Sequence, residues 1–591
     1  MICFRNHWNI NLNSLFLVLT LPALGIVSAA PSDSSESPRA DGPLIADSGW
    51  GGGGKAAFWL QSSLKRVYPK SPAGSSATFK LLAARNGTVS FQACVQNRET
   101  HFLAAKCRVT GPDDITIQVR KVGYVPLWKV TGETPAPDLE GLEYSPGLVP
   151  DPLYPEQQEW IGPFENQAFW ITLKIPPDAA PGIKLLKIQF DFGKSYAQTI
   201  QTVALNAELE VSPFTIKPRH DFHVTHWWRA DSIYDYYKTE PFDERWWQLA
   251  QPYIADLVAH GNDTIYVPIF TVYLELRQRP AQLLLVSEPQ SGVYKFDFSR
   301  VKRLLDMAKG CGATHFEWSH FWCYGGVKYP ARVYTTEHGA SKLLWPKDTA
   351  ATSETYRNFL RQFLPEFHEF LIREEALDQS FFHLSDEPNG KQDIENYRKA
   401  RAVLRKYAPW IKVMDALSDV EYGKQHITDM PIPQVQHAKN FLDAGIPHWV
   451  YYCLEPLGPW LNRFLDTPLR KLRMGGFLFY KFQAGGFLHW GYNYWMVLGD
   501  EKLIDPFTDS TGGHQVSAGD PFVVYPGNDG PIDSIRWEIF AESLQDYAIL
   551  QTAGIKLEDP MLAELETYAD FPRSEEWLDG TLRKIFGSIS R

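Results

Sequence analysis

The sequence of 591 residues has no long run of basic residues, and its 58 Lys and Arg are outnumbered by 69 Asp and Glu. Nucleic-acid binding needs clustered positive charge, so a nucleic-acid partner is excluded. There is no CxxC pair, no HExxH and no cluster with zinc-ligand spacing, and we predict that no metal and no cofactor is needed. Hydrophobic residues make up 44% of the chain and aromatic residues 14%, which excludes disorder, collagen and coiled coil as global descriptions.

Long apolar runs are scarce, and the one near the N-terminus is typical of a signal peptide. Arg5 precedes an apolar run from Leu15 to Val27, and Val27-Ser28-Ala29 supplies the small residues of a cleavage site. We predict that residues 1–29 are removed and that the protein is secreted, periplasmic or held at the cell surface. No later stretch reaches about 20 uninterrupted apolar residues, so no membrane span is expected after cleavage.

Cysteine is also rare, with six residues in the whole chain. Cys3 belongs to the predicted signal peptide, which leaves five that cannot all pair. Cys94 and Cys107 flank a predicted hairpin. In an oxidising compartment they could form a disulfide, and as residues of buried strands they could equally remain thiols.

The rest of the chain divides into a linker and two domains. Residues 30–54 are rich in Ser and Gly and predict a linker. Residues 55–216 hold short strand-like runs separated by turn residues, which predict a β-sandwich. Residues 217–591 alternate strands with amphipathic helices, and eight strand starts can be counted, which predicts a (β/α)8 barrel of the TIM type. A doubly wound open sheet remains the alternative, although no GxGxxG follows the first strand.

The strongest candidate for chemistry is the segment FFHLSDEPN, residues 381–389. Asp386 and Glu387 follow a buried strand and are stopped by Pro388. Adjacent residues of a strand face opposite ways, so both carboxylates share one site only if the chain leaves the sheet there. Pro388 favours that departure and should restrict Glu387 to extended conformations. The structural alternative is that Asp386 caps the next helix and Glu387 pairs with a nearby cation.

Two adjacent carboxylates suit a particular form of glycoside hydrolysis. In the usual glycosidases the two carboxyl groups lie roughly 5–5.5 Å or ~6.5–9.5 Å apart across the bond, which neighbouring residues do not readily achieve. Here one carboxyl, kept protonated, would donate a proton to the leaving oxygen. The other would stay ionised and stabilise an oxazolinium ion formed when the substrate's own 2-acetamido oxygen attacks the anomeric carbon.

Aromatic residues recur at the predicted ends of the other strands. Sugar rings stack on such side chains, although each one alone is more often part of a core. The aromatic residues at these positions are Trp227, Trp228, Trp318, Trp322, Tyr451, Tyr452, Trp490, Tyr492 and Trp495.

These motifs resemble glycoside hydrolase family 123, the exo-β-N-acetylgalactosaminidase group. The resemblance rests on FFHLSDEPN, PHWVYYC, GFLHWGYNYW, GDPFVVYPG and SIRWEIFAESLQDYAIL, and the N-terminal half is similar to the family's leading β-sandwich. It implies a retaining, substrate-assisted β-N-acetylhexosaminidase that favours β-GalNAc. Asp386 would polarise the acetamido group, and Glu387 would act as acid and then as base. The implied substrate-binding residues are Tyr452 and Trp490, followed by Trp318, Tyr492 and Trp495.

Other interpretations remain open. Glu387-Pro388 also resembles the end of the fourth strand in classical retaining glycosidases, in which case Glu455 would be the nucleophile. A non-catalytic secreted carbohydrate-binding protein is the alternative from another class. His383 could line the site beneath the two acids or be a core histidine, Asp415 could orient Tyr452 or cap a turn, and Glu317 could bind sugar or pair with His315.

Overall fold

A computed structural model of the chain describes residues 42–47, 55–196, 201–271, 281–324, 326–337, 340–500 and 502–588. The predicted signal peptide and most of the predicted linker lie outside these residues. Within the described part of the chain, no helix is both long and apolar enough to cross a bilayer.

The N-terminal half consists of two packed sheets. One has the strand order β1-β2-β4-β9-β6-β7 and the other has the order β3-β11-β10-β5-β8. The strands are β1 (Leu44–Asp47), β2 (Lys55–Ser62), β3 (Thr78–Arg85), β4 (Gly87–Asn97), β5 (Leu103–Thr110), β6 (Thr116–Leu127), β7 (Gly147–Tyr154), β8 (Gln158–Ile161), β9 (Asn166–Ile175), β10 (Gly182–Gly193) and β11 (Gln201–Thr215). The β-sandwich predicted for this half is present, and β1 lies within the segment predicted as a linker.

Alternating burial explains why these segments pack as a sandwich. In β11, Leu205, Leu209 and Val211 are buried. Between them, Glu208 is half-buried and Glu210 is exposed. The inner faces of the two sheets meet in one apolar cluster, in which the rings of Phe58 and Phe190 lie 5.1 Å apart.

The two cysteines considered for a disulfide lie in opposite sheets, Cys94 in β4 and Cys107 in β5. Both are free and fully buried. Burial raises the pKa of both thiols well above the usual range, so they stay protonated and behave as small apolar groups.

The C-terminal half alternates strands and helices. Its strands are β12 (His223–His226), β13 (Thr264–Val267), β14 (Leu285–Gln290), β15 (Val293–Asp297), β16 (His315–Trp318), β17 (Tyr334–Glu337), β18 (Ala340–Leu343), β19 (Ser380–Phe382), β20 (Met414–Ala416), β21 (Met430–Ile432), β22 (Val450–Tyr451), β23 (Gly486–His489), β24 (Tyr525–Pro526) and β25 (Pro531–Ile532). Its helices are α1 (Ala230–Tyr237), α2 (Glu244–Ala259), α3 (Ser299–Gly310), α4 (Glu354–Arg373), α5 (Gly390–Tyr407), α6 (Glu421–Lys424), α7 (Ala438–Asp443), α8 (Leu469–Arg473), α9 (Gly475–Lys481), α10 (Ile535–Ala553) and α11 (Glu575–Ser588).

The prediction of a complete (β/α)8 barrel is wrong. Among the described residues the continuous parallel ladder has six strands, in the order β19-β16-β13-β12-β23-β22. Strands β20 and β21 form a separate parallel pair. Single bridges, Phe382 to Val413 and Gln434 to Tyr451, join that pair to the edges of the sheet.

The ladder stops for reasons that can be read from the residues. β20 and β21 have three residues each and β22 has two. Pro431 and Pro433 have no amide proton to donate to a ladder. Beyond Phe382, the amides of Leu384 and Ser385 donate to the Asp415 side chain instead of to the backbone of another strand.

Helices α8 and α9 are short and follow each other directly along the chain. At Gly476 in α9, an added Cβ would lie 1.7 Å from the carbonyl oxygen of Ser543 in α10, so only glycine permits this helix contact. Helix α10 also ties the two halves together, because Arg536 donates from Nε and Nη2 to both oxygens of Asp151 in β7, each at 2.9 Å. Both side chains of this ion pair are fully buried.

Candidate active site

The two predicted catalytic acids lie just past the C-terminal end of β19. Asp386 is buried, 5% exposed, whereas Glu387 reaches solvent. Glu387 has a φ of +45°, in the left-handed region, so the expectation that Pro388 would hold it extended is wrong. A left-handed non-glycine residue is costly and persists where surrounding contacts fix it. The Glu387 amide does donate such a contact, to the carbonyl of Ala416 at 3.0 Å.

The backbone before the acids is held from both sides. On one side the amides of Phe321 and Trp322 donate to the carbonyls of His383 and Leu384, at 3.1 and 2.8 Å. On the other side Oδ1 of Asp415 accepts the amides of Leu384 at 2.9 Å and Ser385 at 3.1 Å. The turn that presents the two acids is therefore fixed by buried hydrogen bonds.

Tyr451 at the end of β22 contacts Glu387 directly. Its Oη donates to Oε1 of Glu387 at 2.7 Å. Protein atoms around the Glu387 carboxyl raise its pKa by desolvation; the Tyr451 hydrogen bond opposes that rise, and the negative charge of Glu455 adds to it. The net effect favours the protonated form of Glu387 more than in an exposed glutamate.

The negative charges of Asp386 and Glu387 affect the pKa values of the same two tyrosines. Burial raises the pKa of Tyr324 to about 12, and the negative charges of Glu387 and Asp386 contribute to that rise. Both acids also help to raise the pKa of Tyr451, after burial. The two acids therefore lie side by side after β19, where Tyr451 contacts Glu387 directly. One carboxyl with a raised pKa beside a second acid is an arrangement that can donate a proton and stabilise a nearby positive charge.

A buried ionic network lies beneath the acids. His383 contacts Glu317 through Nε2 at 2.5 Å and Asp415 through Nδ1 at 3.3 Å. Burial alone would lower the pKa of His383, but Asp415 and Glu317 outweigh it and raise the pKa to about 10. Glu317 also accepts hydrogen bonds from Thr225 and from Trp227 Nε1, the latter at 2.7 Å. His383 is thus a fully buried member of this network, without an exposed surface for a substrate.

The other predicted substrate-binding aromatics divide into two groups. Trp490 is half-buried, and its Nε1 donates to Asp520 at 2.9 Å. Burial raises the pKa of Asp520 to about 7, against the lowering effect of Arg463 and of the Trp490 hydrogen bond. Four other aromatics are at most 1% exposed, and none of them offers a ring face to solvent: Trp318, Tyr452, Tyr492 and Trp495.

The buried aromatics have interior partners instead. Trp318 packs edge-on against Phe367 of α4, with ring centroids 4.8 Å apart. Tyr452 packs against Phe487 at 4.8 Å, and Tyr492 donates to Asp256 at 2.6 Å. Trp495 donates to the carbonyl of Val524 at 3.0 Å. The structure therefore corrects these four predicted substrate contacts to core positions.

Sequence reasoning missed three residues around the acids. It noted the pair Tyr451 and Tyr452 but selected the second, and alternation along a two-residue strand places Tyr451 at Glu387 instead. Tyr324, 40% exposed, lies in a loop and follows no periodic pattern. Tyr397 of α5 donates to Oδ2 of Asp415 at 2.5 Å, a contact between distant segments that no local motif signals.

Three groups of His and Asp bring possible metal-ligand atoms within 4.8 Å of one another in the described part of the chain. One of them, His320, His383 and Asp415, belongs to the buried network. In this group His383 and Asp415 already contact each other, with Nδ1 of His383 lying 3.3 Å from Oδ1 of Asp415. The other two, His223 with Asp263 and His315, and Asp256 with His260 and Asp533, do not include the two acids.

Comparison with known proteins identifies a family and shows similar folds among solved structures. The catalytic-domain model of glycoside hydrolase 123 matches residues 227–553, more than half of the chain. A family 123 glycoside hydrolase from Clostridium perfringens, studied for glycolipid glycan hydrolysis, superposes with a TM-score of 0.68 at 14% identity, covering 90% of this chain and 98% of that one. A GH2 β-galacturonidase from Eisenbergiella tayi gives a TM-score of 0.29 at 10% identity, covering 83% and 72%. The comparison with curated proteins gave no match.

Proposed function

Because the chain belongs to glycoside hydrolase family 123, we propose that it is a retaining exo-β-N-acetylhexosaminidase, with terminal β-N-acetylgalactosamine as the favoured sugar. The observation that carries this proposal is the placement of Asp386 and Glu387 side by side after β19, with Tyr451 Oη donating to Oε1 of Glu387 at 2.7 Å. Two adjacent acids at one strand end suit a reaction in which the nucleophile comes from the substrate.

The first chemical step would use both acids. Glu387, protonated, donates its proton to the glycosidic oxygen while the acetamido carbonyl oxygen attacks C1 and the C1–O bond breaks. The aglycone leaves as an alcohol, and an oxazolinium ion remains. Asp386, ionised, accepts the N–H of the acetamido group and stabilises the positive charge that develops there.

The second step would reverse these roles. Glu387, now a carboxylate, removes a proton from a water that attacks C1 from the side the aglycone left. The C1–O bond of the oxazolinium ring breaks, and the acetamido group is restored. Two inversions at C1 give net retention. Tyr451 would hold the Glu387 carboxyl in place, and Trp490, the half-buried aromatic, would contact the sugar ring.

A second scheme keeps Glu387 as acid and base and makes Glu455 the nucleophile. Its support is that the negative charge of Glu455 contributes to the raised pKa of Glu387. Glu455→Gln separates the schemes. It should abolish turnover if Glu455 forms a glycosyl-enzyme and leave turnover largely intact if the acetamido group is the nucleophile.

The substrate would be a glycan or glycoconjugate. The study of the Clostridium perfringens enzyme concerns glycolipid glycans. We therefore propose glycolipid glycans as the first natural substrates to assay. The predicted signal peptide supports an exported enzyme that meets such substrates outside the cytoplasm.

The deciding experiment is a screen of 4-methylumbelliferyl glycosides with the wild type, Glu387→Gln and Asp386→Asn. The proposal expects cleavage of an N-acetyl-β-hexosaminide, a loss of at least about 100-fold in each variant, and no cleavage of glycosides without the 2-acetamido group. If the wild type binds sugars but cleaves none of the set, the carbohydrate-binding alternative is right. If Glu387→Gln keeps wild-type turnover, the acid assignment is wrong.

A further inference from the structure

We propose that Asp415 is a positioning residue that sets the place of the two acids by accepting backbone amides where the parallel ladder stops. This inference rests on the proposed function, because it concerns the same site. It assigns to Asp415 no contact with substrate. The residue acts through the chain segment that carries Asp386 and Glu387.

The hydrogen bonds of Asp415 show where the chain leaves the regular strand before the two acids. In a regular strand, the amides of Leu384 and Ser385 would point to opposite sides. Here both donate to the same oxygen, Oδ1 of Asp415. The chain must therefore turn between these two residues. That turn immediately precedes Asp386. Asp386 and Glu387 therefore do not follow the alternating side-chain directions of a regular strand.

The carboxylate itself is held in place by its neighbours. It is fully buried, its Oδ2 accepts from Tyr397 at 2.5 Å, and Nδ1 of His383 lies 3.3 Å from Oδ1. Tyr397 belongs to α5, which begins at Gly390 directly after the acids. Asp415 thus contacts His383, which precedes the acids, and Tyr397 of the helix that follows them.

The amide contacts of Asp415 lie next to the place where β19 and β20 stop pairing. β19 and β20 meet at a single bridge, Phe382 to Val413. Two residues further along, Asp415 substitutes its side chain for the backbone partner that Leu384 would otherwise have. Replacing this carboxylate should therefore displace the acids without removing them, and a shift of about 1 Å can lower turnover by about 100-fold.

The test compares Asp415→Ala, Asp415→Asn and Tyr397→Phe, with Asp429→Ala as the matched control. Asp429 accepts the amide of Val413 at 2.8 Å at the other end of β20 and also binds Arg401, so its loss perturbs the same strand away from the acids. Turnover of a methylumbelliferyl N-acetyl-β-galactosaminide is measured per folded molecule, with melting temperature recorded for each variant.

The inference expects Asp415→Ala to lose about 100-fold in kcat with KM changed less than about threefold. Asp415→Asn should recover to within about tenfold of the wild type, because its amide oxygen can still accept both backbone amides. Tyr397→Phe should lose a smaller factor in kcat at unchanged KM. Asp429→Ala should lower the melting temperature but keep kcat.

Two results would overturn the inference: a folded Asp415→Ala with kcat within about threefold of the wild type, or Asp429→Ala with the same kcat loss. If Asp415→Ala fails to fold, Tyr397→Phe decides, and an unchanged kcat in that variant contradicts the positioning role. A crystal structure of Asp415→Ala or Tyr397→Phe supplies a readout without activity. There, retention of the 2.7 Å contact between Tyr451 and Glu387 would contradict the inference even if the proposed function itself fails.

Discussion

Replacing Tyr451 by Phe should move the pH dependence of activity upward. The Tyr451 hydroxyl stabilises the ionised form of Glu387 through a 2.7 Å hydrogen bond and so lowers the pKa of that carboxyl. A hydrogen bond to a charged group contributes about 1.5–3 kcal/mol, and about 1.4 kcal/mol corresponds to one pKa unit. Solvent access at Glu387 reduces this effect, so we expect a rise of about half to one unit.

The sign follows from the role of Glu387 as an acid. The alkaline limb of the profile of kcat/KM against pH reports loss of the acid's proton in the free enzyme. A higher pKa keeps the proton to higher pH, so the alkaline limb of Tyr451→Phe should lie above that of the wild type. The assay is the hydrolysis of a methylumbelliferyl N-acetyl-β-galactosaminide from pH 4 to about 9, a window chosen around the ordinary carboxyl range and its upward extension.

Glu455→Gln is the matched variant and should change the pKa of Glu387 in the opposite direction. Removing the negative charge of Glu455 removes one contribution that raises the pKa of Glu387. The alkaline limb should therefore move downward by a fraction of a unit, while turnover persists under the substrate-assisted scheme. An alkaline limb that stays in place in both variants, or that moves the same way in both, would refute the assignment of Glu387 as the titrating acid.

Three further predictions concern stability and processing. Arg536→Ala leaves Asp151 buried without its ion-pair partner and should lower the free energy of unfolding, measured in urea, by about 3–5 kcal/mol. Arg245→Ala breaks an exposed ion pair with Asp529 and should change that free energy little. Equal effects of the two variants would contradict a stabilising role for the buried Arg536–Asp151 pair. The folded-state pKa of His383, about 10, exceeds the ordinary histidine value, so its contribution to stability is complete below about pH 6.5 and is lost as pH rises through about 10. The wild-type advantage over His383→Gln in unfolding free energy should shrink over that window, and a constant difference would exclude a folded-state proton on His383. N-terminal sequencing of the exported protein should begin at residue 30 or 31, and an intact Met1 in the exported fraction would contradict signal cleavage.

The sequence predicts the parts of this fold that depend on local pattern. Runs of alternating burial such as residues 202–211 mark the sandwich strands, and the position of Asp386 and Glu387 at a strand end follows from an apolar segment that stops at Pro388. The barrel prediction failed because it assumed that every apolar run forms a strand of one continuous parallel sheet. β20, β21 and β22 are too short for that, and side-chain hydrogen bonds replace part of the ladder.

The residues that surround the two acids were harder to predict than Asp386 and Glu387. Choosing Tyr452 over Tyr451 is an error of one residue, and in a strand one residue decides which side of the sheet a ring faces. Trp318 and Trp495 were selected for residue type at strand ends, although a single aromatic side chain there is more often part of a core. Asp415, Tyr397 and His383 come together from three separate elements, so their contacts depend on the tertiary structure.

The most direct measurement is the rate of hydrolysis across methylumbelliferyl β-galactosaminides whose 2-acetamido group carries zero, one, two or three fluorine atoms. Fluorine withdraws electron density from the carbonyl oxygen and weakens it as a nucleophile without changing the leaving group. If the acetamido oxygen attacks C1 while Asp386 stabilises the resulting charge, kcat should fall steeply with each fluorine. Rates that stay constant across the series, with turnover abolished by Glu455→Gln, would contradict the substrate-assisted account.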